Sequence, residues 1–357
     1  MKTDPPRSLL CILIAVLSVN CSTLFAQQPF TIGTATAAPG QKVTGVIDVP
    51  AGVDVGTQIP VIVVRGAKPG PVLAIVSGAH GTEYASIIAV EKLAERLDPK
   101  ELTGTVILLP LLNMASFQKK VPHLNPVDNK NMNRFYPGKP DGTQTERALY
   151  AMTREVVEKS DHLIDLHGGD IDESLRPYTY WAPVGKPQQD ATSRGMAMAF
   201  GLDTIIISRD RPTDPAASRY LETTASLRGK PSITAEAGYA GRVETDDVEK
   251  LITGCLGVMR YLKMLPGAPP MVEHPVWIER IDTVTSEQTG IFYPLVERGA
   301  YVAQGAKLGY VTDYTGKTIF EARAPAAGVV LYVCAVPSMG KGETIASVGI
   351  VAAGAPQ

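Results

Sequence analysis

Cysteine is scarce in this chain. Four occur in 357 residues, and two of them, Cys11 and Cys21, fall in or beside an apolar N-terminal stretch. Cys255 and Cys334 remain, far apart and without a CxxC partner, which excludes a disulfide framework. They read as buried thiols, one on a helix and one on a strand. An excess of one charge is also missing: 34 Lys and Arg face 36 Asp and Glu, a formal net charge of −2. That balance offers no basic footprint for nucleic acid and no strongly anionic surface. Past the N-terminus, no apolar run is long enough to span a bilayer. Histidine numbers only five, so the places where it stands are informative.

What is present describes a globular protein. An apolar content of 45% with 20% charged residues is enough to bury a sizeable core. The length suits two domains, or one large domain with a small one.

Residues 1–26 read as a signal peptide. Lys2 and Arg7 precede "SLLCILIAVLSV", an apolar run too short to span comfortably, and "TLFAQQ" follows it. Cleavage after Ala26 would leave Gln27 as the mature end and send the protein to the periplasm or outside the cell. Cys21 raises a lipoprotein alternative, but "SVNC" lacks the small residue expected just before the cysteine.

From residue 41 to about 265, short β-branched runs alternate with amphipathic patterns. "IPVIVVRG", "PVLAIVSG", "GTVILLPLLN", "DHLIDLH", "DTIIIS" and "SITAEAG" are strand-like. "EYASIIAVEKLAERL", "TQTERALYAMTREVVEKS" (capped by Thr143 or Thr145), "TSRGMAMAFG", "PAASRYLETTASLRG" and "DDVEKLITGCLGVMRYLKML" have helical spacing. The alternation predicts an α/β domain over 27–268 with a parallel or mixed sheet flanked by helices. The Pro-rich "PGAPPMVEHP" reads as a linker. Residues 273–353 then predict a small all-β barrel or sandwich. Its frame repeats: Gly290 and Gly328 stand 38 positions apart, each followed by an apolar strand, a turn and a second glycine, Gly305 or Gly342. The two halves are expected to pair with each other. The frame resembles biotinyl/lipoyl-type domains, but Lys317 lacks the flanking residues of a carrier lysine, so the unit is expected to be a lid or partner surface.

Four residues concentrate the chemistry. His80 follows one predicted strand in "SGAHGTEY", His167 ends another in "DLHGGD", and Glu236 ends a third in "SITAEAG". In an open α/β sheet these ends share the ligand-binding edge. Glu83 stands three positions after His80, on the same face if the helix begins there. Two imidazoles and a carboxylate make the His₂Glu set of a catalytic Zn2+ with one position left for water. His162, opening a strand, and His274, in the linker, are expected to be structural. In the polar segment "NPVDNKNMNRFYPG", Arg134 beside Asn133 offers a fork of donors for a substrate carboxylate.

The ordered motifs "GAHGTE", "NMNRFYPG", "DLHGGD" and "ITAEAG" resemble the succinylglutamate desuccinylase/aspartoacylase family, relatives of the zinc carboxypeptidases. The resemblance covers nearly all of the mature chain and implies a zinc-carboxypeptidase-like domain followed by a small β domain. It also implies that His80, Glu83 and His167 bind zinc, that Glu236 is the catalytic acid/base, and that Asn133 with Arg134 holds the substrate carboxylate. One departure stands out. Members similar to aspartoacylase carry an arginine shortly before the Asn-Arg pair, where this chain has Pro126 and no arginine between Phe117 and Asn133. Lys119, Lys120 and His123 are the nearby cations. Asp170, after His167, is placed to recognise an amine, to orient another group, or simply to be solvated as a loop acid.

The expected activity is zinc-dependent hydrolysis of the amide bond of an N-acyl amino acid or similar small amide. The alternatives are an exported carboxypeptidase-like metallopeptidase acting on cell-wall or other short peptides, and a catalytically idle binding protein. The expected partner is a small molecule, with no nucleic acid and no membrane span after signal removal. The oligomeric state is not legible.

Overall fold

The computed structural model of the protein describes residues 28–355 together with Met1. The signal-peptide and lipoprotein readings fall on residues 2–27, outside the described residues.

The described residues begin with a two-stranded ribbon, β1 (Phe30–Ile32) and β2 (Ala35–Ala37), and then enter a large sheet through β3 (Gln41–Val49), β4 (Thr57–Arg65) and β5 (Lys68–Ser77). Helix α1 (Tyr84–Arg96) leads to β6 (Thr103–Leu109), followed by α2 (Met114–Lys119) and α3 (Gln144–Met152). Next come β7 (His162–His167), β8 (Glu173–Trp181), α4 (Pro187–Phe200) and β9 (Thr204–Ile207). Helix α5 (Leu221–Leu227), β10 (Ser232–Tyr239) and α6 (Thr245–Tyr261) complete the α/β part.

The sheet is mixed. Strands β6, β5, β7 and β10 run parallel side by side, whereas β8 joins β10 antiparallel. Successive side chains of a strand point to opposite faces, so the continuous apolar run of β5 serves two cores. Leu73 and Ile75 pack with α1, α4 and α6 on one face. Ala74 and Val76 pack with α3, α5 and the β1–β2 ribbon on the other. Burying each large aliphatic side chain contributes roughly 1.5–3 kcal/mol, and coverage on both faces is why these strands carry no polar alternation.

Helix α3 starts at Thr143, one of the two residues expected to cap it. The Thr143 and Glu146 side chains and backbones form a reciprocal capping box there. The helical pattern of "PAASRYLETTASLRG" is broken in the structure: a short 3₁₀ turn at Pro215–Ala217 precedes α5, and only Leu221–Leu227 is α-helical.

Strand β11 (Val276–Thr285) opens the second part, followed by β12 (Gly290–Pro294), β13 (Tyr301–Val302), β14 (Lys307–Thr312) and β15 (Thr318–Arg323). The chain ends with β16 (Gly328–Cys334), β17 (Ser338–Met339) and β18 (Thr344–Val351). The two-fold repeat is visible as strand exchange. The first half's β13 pairs with β16, and the second half's β17 pairs with β12. Cys255 lies in α6 and Cys334 in β16, both as buried free thiols.

The expected boundary between 268 and 273 falls in the connection from α6 to β11, and the strands beyond it hydrogen-bond to those before it. Strand β11 runs parallel to β9, and β16 runs antiparallel to β8. The order β8-β9-β11-β18-β16 therefore closes on itself as a five-stranded barrel. Its interior is filled by Tyr178, Ile206, Ile278, Val329 and Leu331. Arg298 ties the parts together further, donating to the carbonyls of Leu175 and Gly238 and facing Asp247 of α6. Among the described residues no helix is long and apolar enough to cross a membrane.

Candidate active site

His80, Glu83 and His167 meet at the carboxyl edge of β5 and β7, and all three are buried. The joining of His80 to Glu83 differs in detail from the sequence expectation. Glu83 precedes α1 as its N-cap residue, and a turn closed by the Glu83 N–H on the His80 carbonyl brings the pair together, not a shared helical face. The Glu83 carboxylate lies between the two imidazoles, with Oε1 2.5 Å from Nδ1 of His80 and Oε2 3.0 Å from Nδ1 of His167. One donor atom from each residue lies within 4.8 Å of the others. Two imidazole nitrogens and a carboxylate converging in this way fit a divalent cation of the zinc type. Burial alone would raise the Glu83 carboxyl, but the His80 and His167 imidazoles beside it hold it well below the usual carboxylate range.

The outer nitrogens are also held. Nε2 of His80 lies 3.1 Å from Oδ1 of Asn131, and Nε2 of His167 lies 3.3 Å from Oδ1 of Asp165. A cation on Nδ1 requires the ring proton on Nε2, and these oxygens are placed to accept it, fixing tautomer and ring orientation. Sequence reasoning passed over both residues. Asp165 had a usable signal, since it stands two positions before His167 on the same strand and so on the same face. Asn131 lay unremarked in the quoted polar segment.

Glu236 completes a row across three strands. Its Cα is in register with His167 of β7 on one side and Tyr178 of β8 on the other. The Tyr178 hydroxyl donates to Oε2 of Glu236 at 3.1 Å. Burial pushes the Glu236 carboxyl up to about 7, aided by the Glu83 charge and opposed by His167. A β-bulge follows immediately, between Glu236 and Gly238, a device that re-aims side chains. The bulge depends on close backbone approach, because a Cβ on Gly238 would sit 2.2 Å from the Gly169 nitrogen.

Asn133 and Arg134 do reach the site, and Asn133 is engaged through its side-chain oxygen. Its Oδ1 accepts from the Leu221 N–H at 3.1 Å and its Nδ2 lies 3.2 Å from Nε2 of His167. Arg134 is exposed, bonded to the Asn133 carbonyl and stacked over Tyr220 at 5.1 Å.

Of the three cations near Pro126, only His123 lines the chamber; Lys119 and Lys120 are exposed at the end of α2. His123 is pulled down by burial, yet its hydrogen bond to Asp172 and the charge of Asp170 carry it up to about 9. Both ring nitrogens face carboxylates, Asp172 at 2.9 Å and Asp170 at 3.3 Å. It therefore brings a paired charge to the wall and no free N–H. Asp170 is fully buried and also accepts from the His123 and Ile171 amides. That makes it an orienting group.

The chamber over these residues encloses ≈ 640 Å³, and the second part of the chain supplies one wall, including Tyr332, Ser338 and Glu343. Strand β8, which carries Tyr178 and links the sheet to that wall, has no counterpart in the sequence reading. Pro177 within it argues against a strand.

The catalytic-domain description of the family "Succinylglutamate desuccinylase/Aspartoacylase" matches residues 69–262. The N-alpha-acetyl-L-2,4-diaminobutyric acid deacetylase of Halomonas elongata is 29% identical over 300 residues, 82% of this chain and 86% of that protein. The succinylglutamate desuccinylase/aspartoacylase crystal structure from Rhodobacter sphaeroides superposes with a TM-score of 0.76 at 25% identity, covering 86% of this chain and 94% of that one. The product-bound ectoine utilization protein EutE (DoeB) of Ruegeria pomeroyi superposes with a TM-score of 0.79 at 25% identity, covering 89% and 98%. Motif order, mixed sheet, closed barrel and matched catalytic domain agree, and the chain belongs to the succinylglutamate desuccinylase/aspartoacylase family.

Proposed function

We propose that this protein is a zinc-dependent hydrolase that cleaves the amide bond of an N-acyl amino acid or similar small amide. The observation that carries this reading is the convergence of His80, Glu83 and His167 beside the buried Glu236. Zinc held by those three residues would supply a water ionisable near neutral pH and a centre that polarises a carbonyl.

The chain's own residues supply the rest. Glu236, with Oε2 held by Tyr178, accepts a proton from the attacking water and passes it to the leaving amine. The amide C–N bond breaks, the water oxygen ends on the acyl carbon, and an amino acid and a carboxylate leave. Asn131 and Asp165 keep the two imidazoles in the required tautomer. The comparisons support a deacylase reading in particular, because the Halomonas relative is a deacetylase of an N-acetylated diamino acid. The zinc-carboxypeptidase-like character of the main sheet belongs to this same reading. If the N-terminal stretch is an export signal, the reaction takes place in the periplasm or outside the cell.

The test is hydrolysis of a panel of N-acyl amino acids and short peptides by the chain from Gln27 onward, with and without chelator. Chelator-sensitive release of an amino acid from an N-acyl substrate is expected. Turnover indifferent to chelator, or a zinc-loaded chain inert toward every N-acyl amino acid, would overturn the reading.

A further inference from the structure

Next to the metal-ligand chamber lies a second cavity of ≈ 470 Å³ that shares Asn133, Arg134, Tyr180 and Glu236 with it. Its character differs. The chamber carries five acids, Glu83, Asp172, Glu173, Glu236 and Glu343, beside a single arginine, Arg134, while the annex gathers four arginines, Arg134, Arg209, Arg211 and Arg280, against three acids, Asp210, Glu236 and Glu279. Arg280 is neutralised locally by Asp282 at 2.7 Å. The other three have no carboxylate within hydrogen-bond reach among the described residues.

Arg211 is the best fixed of them. Its guanidinium lies 4.3 Å from the centre of the Tyr220 ring and 5.3 Å from that of Tyr180, sandwiched between two aromatic faces. Its nearest acid is the buried Glu222, whose Oε2 lies 3.7 Å from Nε, too far for a hydrogen bond. Nε is buried without a partner, and so is Oε1 of Glu222. Its terminal nitrogens make no hydrogen bond among the described residues. Arg134 stacks on the same Tyr220 ring at 5.1 Å, bonded only to the Asn133 carbonyl. The Arg219 guanidinium lies 5.5 Å from the same ring, so three guanidinium groups crowd Tyr220, and an anion beside them relieves their mutual repulsion. A carboxylate suits this place, because each planar fork can donate two parallel N–H bonds to it.

The geometry points to Arg211 as the specificity-determining anchor of a carboxylate pocket in this annex, acting with Arg134 across Tyr220. Resting on the hydrolase reading above, this assigns the substrate a free carboxylate that extends past Glu236 into the annex, with the scissile amide over the metal ligands. It adds to the Asn133–Arg134 pair an arginine on the loop after β9. The Tyr180 and Tyr220 rings serve as rigid walls that keep the fork aimed.

The experiment compares an N-acetyl amino acid with its C-terminal carboxamide in the full chain. KM and kcat are read on the zinc-loaded protein, and equilibrium binding by calorimetry on the metal-depleted protein. Wild type is expected to favour the carboxylate by on the order of 30-fold or more, the worth of a charge-assisted bidentate contact. Arg211→Met should bring the two ligands to within about threefold, the loss falling on KM for the acid. Arg211→Lys keeps a charge opposite Glu222 but loses the fork, and is expected to keep only part of the preference. It reads the same contact if the methionine variant does not fold. Equal affinity of wild type for acid and amide, or a wild-type preference retained in the Arg211 variants, overturns the proposal. A chain that binds the acid selectively but never hydrolyses it leaves the pocket standing and removes the hydrolase reading.

Discussion

His167 and Glu236 face each other in register across the parallel pair of β7 and β10, and Tyr178 continues the row on β8. Register partners point to the same face of a sheet, so a histidine of the proposed zinc set and a buried carboxyl are placed side by side by backbone hydrogen bonds. Glu236→Gln keeps the shape and the Tyr178 contact but cannot accept a proton. We expect kcat to fall by about 10²–10⁴-fold with zinc content unchanged. Turnover together with metal analysis of the purified variant checks this, and wild-type turnover would remove Glu236 as the base.

The same carboxyl sets a pH limb. Burial raises Glu236 to about 7, so below that pH it is protonated and cannot act as a base. Activity should therefore climb as pH rises through the neutral region. A kcat/KM profile flat from pH 5.5 to 8.5 would contradict the role.

In the proposed hydrolase, Asp165 would act on the zinc through His167. Replacing it by Asn leaves the imidazole in place but weakens the acceptor for its Nε2 proton. Zinc affinity is expected to drop about 10–100-fold, the usual cost of losing such a support. Competition with a chromogenic chelator reads this without any need for turnover.

Glu146 tests the scaffold away from the candidate active site. A hydrogen bond from Lys130, outweighing burial, holds its carboxyl down at about 2 against an ordinary 4.5, and it closes the Thr143 box. A depressed carboxyl stabilises the fold above its unfolded value and loses that contribution as pH falls toward the folded one. Glu146→Gln should cost about 1 kcal/mol at neutral pH, and the gap to wild type should close between pH 4.5 and 2. Thermal melts across that range report both effects.

The local elements were readable because local physics decides them. The apolar runs of β4 to β7, the amphipathic patterns of α1, α4 and α6, and the cap at Thr143 depend on neighbours a few positions apart. His80, Glu83, His167 and Glu236 were visible as well, since His80 and His167 stand next to Gly81 and Gly168 at strand ends, Glu236 closes a strand-like run two positions before Gly238, and Glu83 follows His80 by three.

What lay beyond the sequence depended on contacts across long separations. Strand β8 was hidden because Pro177 cannot donate to a ladder, and only its place between β10 and β9 and against β16 makes it a strand. The closed barrel required β16 to find β8, which no periodicity encodes. Arg211 gained its chemistry when folding placed it between Tyr180 and Tyr220, far from the Asn-Arg pair in sequence. The sequence determined which strands and helices form and which side chains end them. The tertiary structure decided which of those ends face one another, because strand register and charge proximity exist only after the chain has closed on itself.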